Sequence, residues 1–81
     1  MSQDRARHVL FQAIHLVAPD VDVASLDEDA PLPEQAGLDE FDVAELAALL
    51  SDAVRHQIPL ADYQQLSTIR AGLAYLEPRL P

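Results

Sequence analysis

Carboxylates are the reactive groups that this chain holds in greatest number. It has 14 Asp and Glu residues against five Arg and no Lys, which gives a formal net charge of −9. Ten of those acids lie between Asp20 and Glu45, a stretch without a single Arg or Lys. This stretch is either a solvated face or a docking surface for basic protein partners, because complementary charge sets association rate and partner choice.

The other residue types offer little for catalysis or metal binding. No cysteine is present, so disulfides and thiolate chemistry are excluded. His8 and His15 stand two turns apart on one predicted helix, too far to chelate one ion, and His56 has no ligand partner at a suitable spacing. Neither a serine-nucleophile motif nor a glycine-rich phosphate loop occurs. We therefore expect no metal ion and no enzymatic activity.

Length and charge narrow the class of protein further. The 81 residues make one small domain, which we place at 1–81, and 49% of them are hydrophobic, enough for a core. The negative charge argues against binding to nucleic acids or to anionic membranes, because proteins bind both mainly through Lys and Arg. No apolar run approaches the roughly 20 residues that span a bilayer, and we see no signal peptide. We expect a monomeric cytoplasmic protein.

The first helix and the segment after it are expected to differ sharply in regularity. Apolar spacing predicts a helix over about Gln3–Ala18, with Ser2 as a candidate N-cap and Pro19 ending it. The segment Asp20–Leu38 has prolines, acids and no sustained period, so we predict a long irregular loop with one turn near Ser25–Asp29.

A second helix is predicted to begin at Asp39. The carboxylate of Asp39 can cap the first amide groups, with Asp42 at the third helical position, and the helix stops before Ile58. The apolar stripe of this helix is Val43, Leu46, Ala47, Leu50 and Val54.

Two shorter helices complete the predicted architecture. A third helix is expected over Ala61–Leu66, and a fourth, capped by Ser67 or Thr68, runs to about Leu76. No strand pattern occurs. The chain is therefore predicted to be all-α, a small four-helix bundle with a long loop between helices 1 and 2 and a short helix 3.

The start of the second predicted helix carries the most informative motif. Residues 37–46 read Gly-Leu-Asp-Glu-Phe-Asp-Val-Ala-Glu-Leu, which resembles the modification site of acyl carrier proteins, Gly-x-Asp-Ser-Leu-x-x-x-Glu-Leu. Residues 26–32 look like the family's loop motif Leu-Asp-Pro-Asp-Thr-Pro-Leu, and residues 66–69 look like its Ile-Thr-Thr-Val junction. The resemblance covers nearly the whole chain and implies a bundle of the acyl-carrier type.

One departure from the family bears on the expected chemistry. The family's serine hydroxyl receives 4′-phosphopantetheine, but Glu40 stands at that position and has no hydroxyl. The resemblance therefore implies that the family cofactor is not attached here. Glu40 either only favours the helix N-terminus electrostatically or keeps a negative charge for partners. Phe41, in place of the usual leucine, either packs inward or forms an aromatic anchor, and we expect partial burial.

The resemblance also implies where partners dock, because the family's second helix is its main docking face. Carried over by position, the partner-binding residues are Asp39, Glu40, Phe41, Asp42, Glu45 and Asp52. We expect a domain that is not phosphopantetheinylated and that docks to basic surfaces of partner enzymes in fatty-acid or polyketide-type biosynthesis.

Two alternatives stay open at this point. The chain is a functional acyl carrier whose serine was lost naturally or by engineering, or whose arm is attached elsewhere, with Ser25 as the first candidate because Leu26 follows it. Otherwise it is an unrelated acidic helical adaptor or inhibitor. A structure without the long first loop and the short third helix would favour that last reading.

Overall fold

The computed structural model describes the backbone of residues 2–81 and the side chains from residue 3 onward. It is helical throughout this range, with no strand among the described residues, so the all-α prediction is confirmed. Four helical segments have seven or more residues, as a four-helix arrangement requires. The α-helices are α1 (Ser2–Val17), α2 (Leu32–Ala36), α3 (Glu40–Val54) and α4 (Ile69–Leu76), and the 3-10 segments are a turn at Val23–Ser25 and a helix at Leu60–Leu66.

The core lies where α1 packs against α3 and α4. Its largest fully buried side chains are all aliphatic: Leu10, Ile14, Leu32, Leu46, Leu50, Ile69, Leu73 and Leu76. Each such side chain contributes roughly 1.5–3 kcal/mol through removal of apolar surface from water. The predicted apolar stripe of α3 is therefore confirmed, apart from Val43, which is only half-buried.

The helix ends differ from the prediction in ways that local hydrogen bonds explain. α1 ends at Val17, one residue early, although the Ala18 amide still donates to the Ile14 carbonyl at 2.7 Å. α3 ends at Val54 because Arg55 adopts the left-handed conformation, with φ 58°, that closes a helix. The predicted N-cap role of the Ser2 side chain falls outside the described side chains.

The predicted irregular loop Asp20–Leu38 contains regular structure that the prediction missed. It holds the 3-10 turn and the short helix α2. The first turn of α2 contains a proline, which is tolerated there because amide groups of a first turn have no hydrogen-bond partner within the helix. Five residues are too few for a helical period to show in the sequence, which is why the prediction was wrong here. The expected turn near Ser25–Asp29 is present as an Ala30-to-Asp27 backbone hydrogen bond.

Two arginines tie this segment to the helices. Arg7 of α1 pairs with Glu28, and Arg70 of α4 pairs with Asp29 through two hydrogen bonds. The Arg70 amide also donates to the Glu28 carbonyl at 3.0 Å. The long connection between α1 and α3 is thus attached both to α1 and to α4.

The third predicted helix is a 3-10 helix and begins one residue before the predicted start. It is followed by Thr68, whose hydroxyl accepts the Ala71 amide at 3.0 Å, so Thr68 and not Ser67 is the N-cap of α4. The Tyr75 hydroxyl donates to Asp62 at 2.7 Å and joins α4 to the 3-10 helix. Burial and this carboxylate raise the pKa of the Tyr75 phenol.

In the described part of the chain, no helix has the length and apolar character needed to cross a lipid bilayer.

Truncating a core leucine should destabilise the fold strongly. Leu50 is fully buried between the helices, so Leu50→Ala should lower the free energy of unfolding by about 2–5 kcal/mol. Leu16 is 62% exposed, and Leu16→Ala is the matched control with little expected effect. Urea unfolding followed by helical circular dichroism measures both, and equal losses for the two variants would contradict this core.

The Arg7–Glu28 pair should make stability depend on acidity. The hydrogen bond from Arg7 holds the pKa of the Glu28 carboxyl below its usual value. A carboxyl whose pKa is lower in the folded protein adds to the free energy of unfolding at pH values above its ordinary pKa. This contribution is lost as the pH falls through the pKa of the folded state. Arg7→Gln should therefore lower the thermal midpoint at about pH 7, and its difference from the wild type should shrink toward about pH 3.

Arg5 provides the control for this experiment. It lies exposed on the same helix and forms no ion pair with any described residue. Arg5→Gln should show no comparable change of midpoint with pH, and a pH-independent effect of Arg7→Gln would contradict the assigned role of the pair.

Candidate functional site

The first turn of α3 is fixed by its own backbone and two acids. Gly37 ends α2 in the left-handed conformation, with φ 69°, which glycine adopts without strain. Asp39 then accepts the Asp42 amide at 2.9 Å, and Asp42 accepts the Asp39 amide at 3.2 Å. This reciprocal capping box confirms the predicted capping and sets the exact residue at which α3 begins.

Glu40 is the first residue of α3 and takes no part in that cap. Its side chain is exposed, and it forms no hydrogen bond or ion pair within the described part of the chain. The carboxylate benefits from the helix N-terminus, where partial positive charge accumulates. With the cap supplied by its neighbours, Glu40 presents a free negative charge to solvent.

Phe41 corrects one expectation from the sequence. Partial burial was expected, but the ring is 84% exposed. The reason is the register of α3, because Asp42 turns toward the cap and Leu46 turns into the core, which directs Phe41 outward. An exposed phenylalanine beside a free carboxylate is a feature of binding surfaces, where aromatic anchors carry much of the affinity.

Phe41 lines a groove of about 570 Å³, which we call the Phe41 groove. On its far side stands Leu60, the first residue of the 3-10 helix, which is 77% exposed. The Phe41 groove is lined by Pro33, Leu38, Asp39, Glu40, Phe41, Val43, Ala44, Leu60 and Tyr63. Its lining is thus mostly apolar, with two carboxylates on the α3 side.

A second groove of about 550 Å³ continues along the same seam toward the end of α3, and we call it the Arg55 groove. The two grooves share Ala44 and Tyr63, so they lie next to each other between α3 and the 3-10 helix, and we call the pair the channel. Small side chains at Ala44 and Ala48 leave room for it. The Arg55 groove is lined by Ala44, Ala48, Ser51, Asp52, Arg55, His56, Gln57, Ile58 and Tyr63.

The six predicted partner-binding residues fall into three groups in space. Phe41, Glu45 and Asp52 are exposed at spacings that place them on one outward face of α3. Asp39 and Glu40 line the Phe41 groove, and Asp52 also lines the Arg55 groove. Asp42 is only half exposed and is held in the capping box, so it is the least suited of the six to meet a partner.

The charge along the channel differs between its two ends. Asp39 and Glu40 make the Phe41 end acidic, whereas the opposite end holds Asp52 together with Arg55 and His56, so the acid there is offset by an arginine. Of the other arginines, Arg7 and Arg70 pair with acids of the loop, Arg79 lies 3.8 Å over the Tyr75 ring, and Arg5 on α1 lines neither groove. The Phe41 end is therefore the more acidic end of the channel.

Sequence reasoning missed the opposite wall of the channel. Leu60 and Tyr63 belong to the 3-10 helix, while Pro33 and Leu38 flank α2. Leu60 follows Ile58-Pro59, and nothing in the pattern of apolar residues distinguishes the buried Ile58 from the exposed Leu60. The path of the connection between α3 and α4, which the sequence pattern does not show, places that leucine opposite Phe41.

The serines and histidines have local or solvent-exposed positions. The Ser51 hydroxyl donates to the Ala47 carbonyl and accepts the Ile58 amide, so it turns the chain after α3. Ser25 donates to the Asp22 carbonyl within the 3-10 turn. The three histidines are exposed. Among the side chains that the structure describes, no group of three or more His, Asp or Glu is placed to hold a metal ion.

Comparison with known proteins assigns no family to this site. No model of a known protein family matches the chain, and no curated protein matches it. Any statement about family therefore rests on the motif residues 26–32, 37–46 and 66–69.

The capping box predicts that substitutions of two neighbouring acids have different effects on the free energy of unfolding. Asp39→Ala removes the oxygen that accepts the Asp42 amide and should lower the free energy of unfolding by about 1 kcal/mol. Glu40→Ala removes an adjacent acid of the same charge that caps nothing, so its effect should be clearly smaller. Chemical denaturation of both variants at one ionic strength measures the difference, and a larger loss for Glu40→Ala would contradict the assigned cap.

Proposed function

We propose that this protein is an acyl-carrier-like domain that carries no phosphopantetheine arm and acts by docking to partner proteins. The partners would be enzymes of fatty-acid or polyketide-type biosynthesis with basic docking surfaces. The domain itself would have no catalytic role, and its surface would be the outward face and N-terminus of α3.

The observation that carries this proposal is the exposed carboxylate of Glu40, which does not cap the helix. It stands at the first residue of α3, where the motif resemblance expects the modified serine. Since Asp39 and Asp42 supply the cap, the helix does not need an acid at position 40. A free negative charge there would maintain an anionic feature for partners without any covalent cargo.

The order of the elements supports the carrier-like reading over an unrelated adaptor. A long connection separates the first two long helices, and a short helical segment precedes the last helix. These are the two features whose absence would favour an unrelated acidic bundle. The all-helical fold is common to many proteins, however, so the motif at 37–46 remains the argument for the family.

Ser25 is a poor alternative site for a phosphopantetheine arm. Its hydroxyl is engaged with the Asp22 carbonyl at 2.9 Å inside the 3-10 turn. The chain then continues into Leu26 in extended conformation and not into a helix of carrier type. The favourable charge environment of a helix N-terminus is therefore missing at that position.

The proposal is tested by the intact mass of the protein after incubation with coenzyme A and a broad-specificity phosphopantetheinyl transferase. The wild type should gain no mass, whereas Glu40→Ser, which restores the hydroxyl at an exposed position, should gain one phosphopantetheine arm. Glu40→Ala is the matched control, because it also removes the carboxylate but offers no hydroxyl.

Each failure of that assay has a different meaning. A mass increase of the wild type would overturn the proposal and direct peptide mapping to Ser25 first. A Glu40→Ser variant that stays unmodified would contradict the carrier-like relationship itself. Circular dichroism of both variants confirms that the comparison is made between folded proteins.

A further inference from the structure

We infer that the channel between α3 and the 3-10 helix binds an amphipathic, basic helix of a partner protein. This inference rests on the proposed docking function and specifies the partner's chemistry. An apolar side chain of that helix would lie between Phe41 and Leu60. Its Lys or Arg residues would face Asp39 and Glu40.

Exposed apolar surface is the first reason. Phe41 and Leu60 are 84% and 77% exposed, yet both line one groove, so neither serves the core of this domain. Leu38, Val43 and Tyr63 are partly buried and extend the apolar floor between them. A contiguous apolar groove with polar edges is typical of surfaces that a partner covers.

The shape of the channel is the second reason. The Phe41 and Arg55 grooves follow α3 along most of its 15 residues, a helical length of about 22 Å. A helix laid in a groove places apolar anchors every three or four residues, which matches a long and shallow channel. The small Ala44 and Ala48 allow the backbone of such a helix to approach closely.

Charge identifies the partner and excludes other occupants. The carboxylates at the Phe41 end repel fatty acids, nucleotides and other anions, and they attract Lys or Arg. A second copy of this chain, with its net charge of −9, would meet the same repulsion. At the other end the charge of Asp52 is offset by Arg55, so that end offers a basic ligand no net negative charge, and the partner helix is expected to bind with its basic end at Asp39.

The third exposed large apolar residue, Leu16, marks a competing surface, which the observations favour less. Leu16, 62% exposed, lines a smaller groove of about 190 Å³ between α1 and α3. No acid or arginine lines that groove, so nothing there selects a partner by charge. Leu16 is therefore the appropriate control position.

The test uses a designed, fluorescein-labelled peptide of about 16 residues, long enough to follow α3. It carries leucines on one helical face, arginines in its half that faces Asp39, and neutral polar residues elsewhere. A scrambled peptide of the same composition lacks the apolar face, and an acidic version replaces every arginine with glutamate. Fluorescence anisotropy at about 0.15 M salt limits nonspecific charge attraction.

We expect saturable binding of the basic amphipathic peptide, with a Kd in the micromolar range, and at least tenfold weaker binding of both comparison peptides. Phe41→Ala and Leu60→Ala should each weaken binding by about tenfold. Leu16→Ala should leave it unchanged. Because Phe41, Leu60 and Leu16 are exposed, none of these variants should disturb folding, which thermal denaturation verifies.

Several results would overturn the inference. No saturable binding of the basic peptide, equal binding of the scrambled peptide, or loss of binding in Leu16→Ala each contradicts it. Amide chemical shifts provide the location, and changes confined to residues outside the channel also contradict it. Chemical-shift changes of channel residues upon addition of decanoate alone would identify a fatty acid, and not a peptide, as the occupant. A dimer in sedimentation that Leu60→Ala removes would identify a second copy of this chain as the occupant.

The peptide test and the mass test fail independently. If the wild type acquires a phosphopantetheine arm while the peptide binds as expected, the proposed function is wrong and the channel assignment stands. If the mass results are as expected and the peptide does not bind, only the channel assignment is wrong.

Discussion

The reciprocal hydrogen bonds between Asp39 and Asp42 determine how the rest of the candidate site is presented. They fix the residue at which α3 begins, and every later position on that helix follows from it at about 100° per residue. Leu46 and Leu50 occupy the core side of this helix, and at that spacing Phe41 points to solvent. The capping box adds that Asp42 is held at the helix start, so the exposed phenylalanine lies between a capping acid and the free carboxylate of Glu40.

The long connection between α1 and α3 contributes to the same constraint. Its paired acids, Glu28 and Asp29, meet arginines from α1 and α4, while Leu32 of α2 is buried in the core. These attachments hold α2 in place, and α2 ends at Gly37, immediately before the cap of α3. The position of the cap therefore depends on contacts made by residues far away in the sequence.

The sequence predicted the long helices well because their apolar side chains recur with the period of a helix. The stripe from Leu46 to Val54 and the capping acids at Asp39 and Asp42 were readable in this way. The five-residue helix α2 and the early end of α3 at Arg55 were not, because a single turn has no period and a left-handed arginine leaves no compositional trace. The candidate site was half predictable for the same reason. Its acids and Phe41 lie on a periodic helix, whereas Leu60 and Tyr63 lie on a 3-10 segment whose placement depends on tertiary contacts.

The Arg70–Asp29 pair has a consequence for the order in which this domain is assembled during synthesis. Its two partners are 41 positions apart, and the Leu32 amide likewise donates to the Ser67 carbonyl. A ribosome releases the chain from its N-terminus at about 5–20 residues per second, so the segment before α3 waits several seconds at the slower rate for these partners. During that interval α1 and α3 can meet, but the groove wall formed by Leu60 and Tyr63 has yet to emerge. The channel is therefore completed after α3 and before α4 (Ile69–Leu76), and a nascent chain that ends before Leu60 offers a partner only its α3 side.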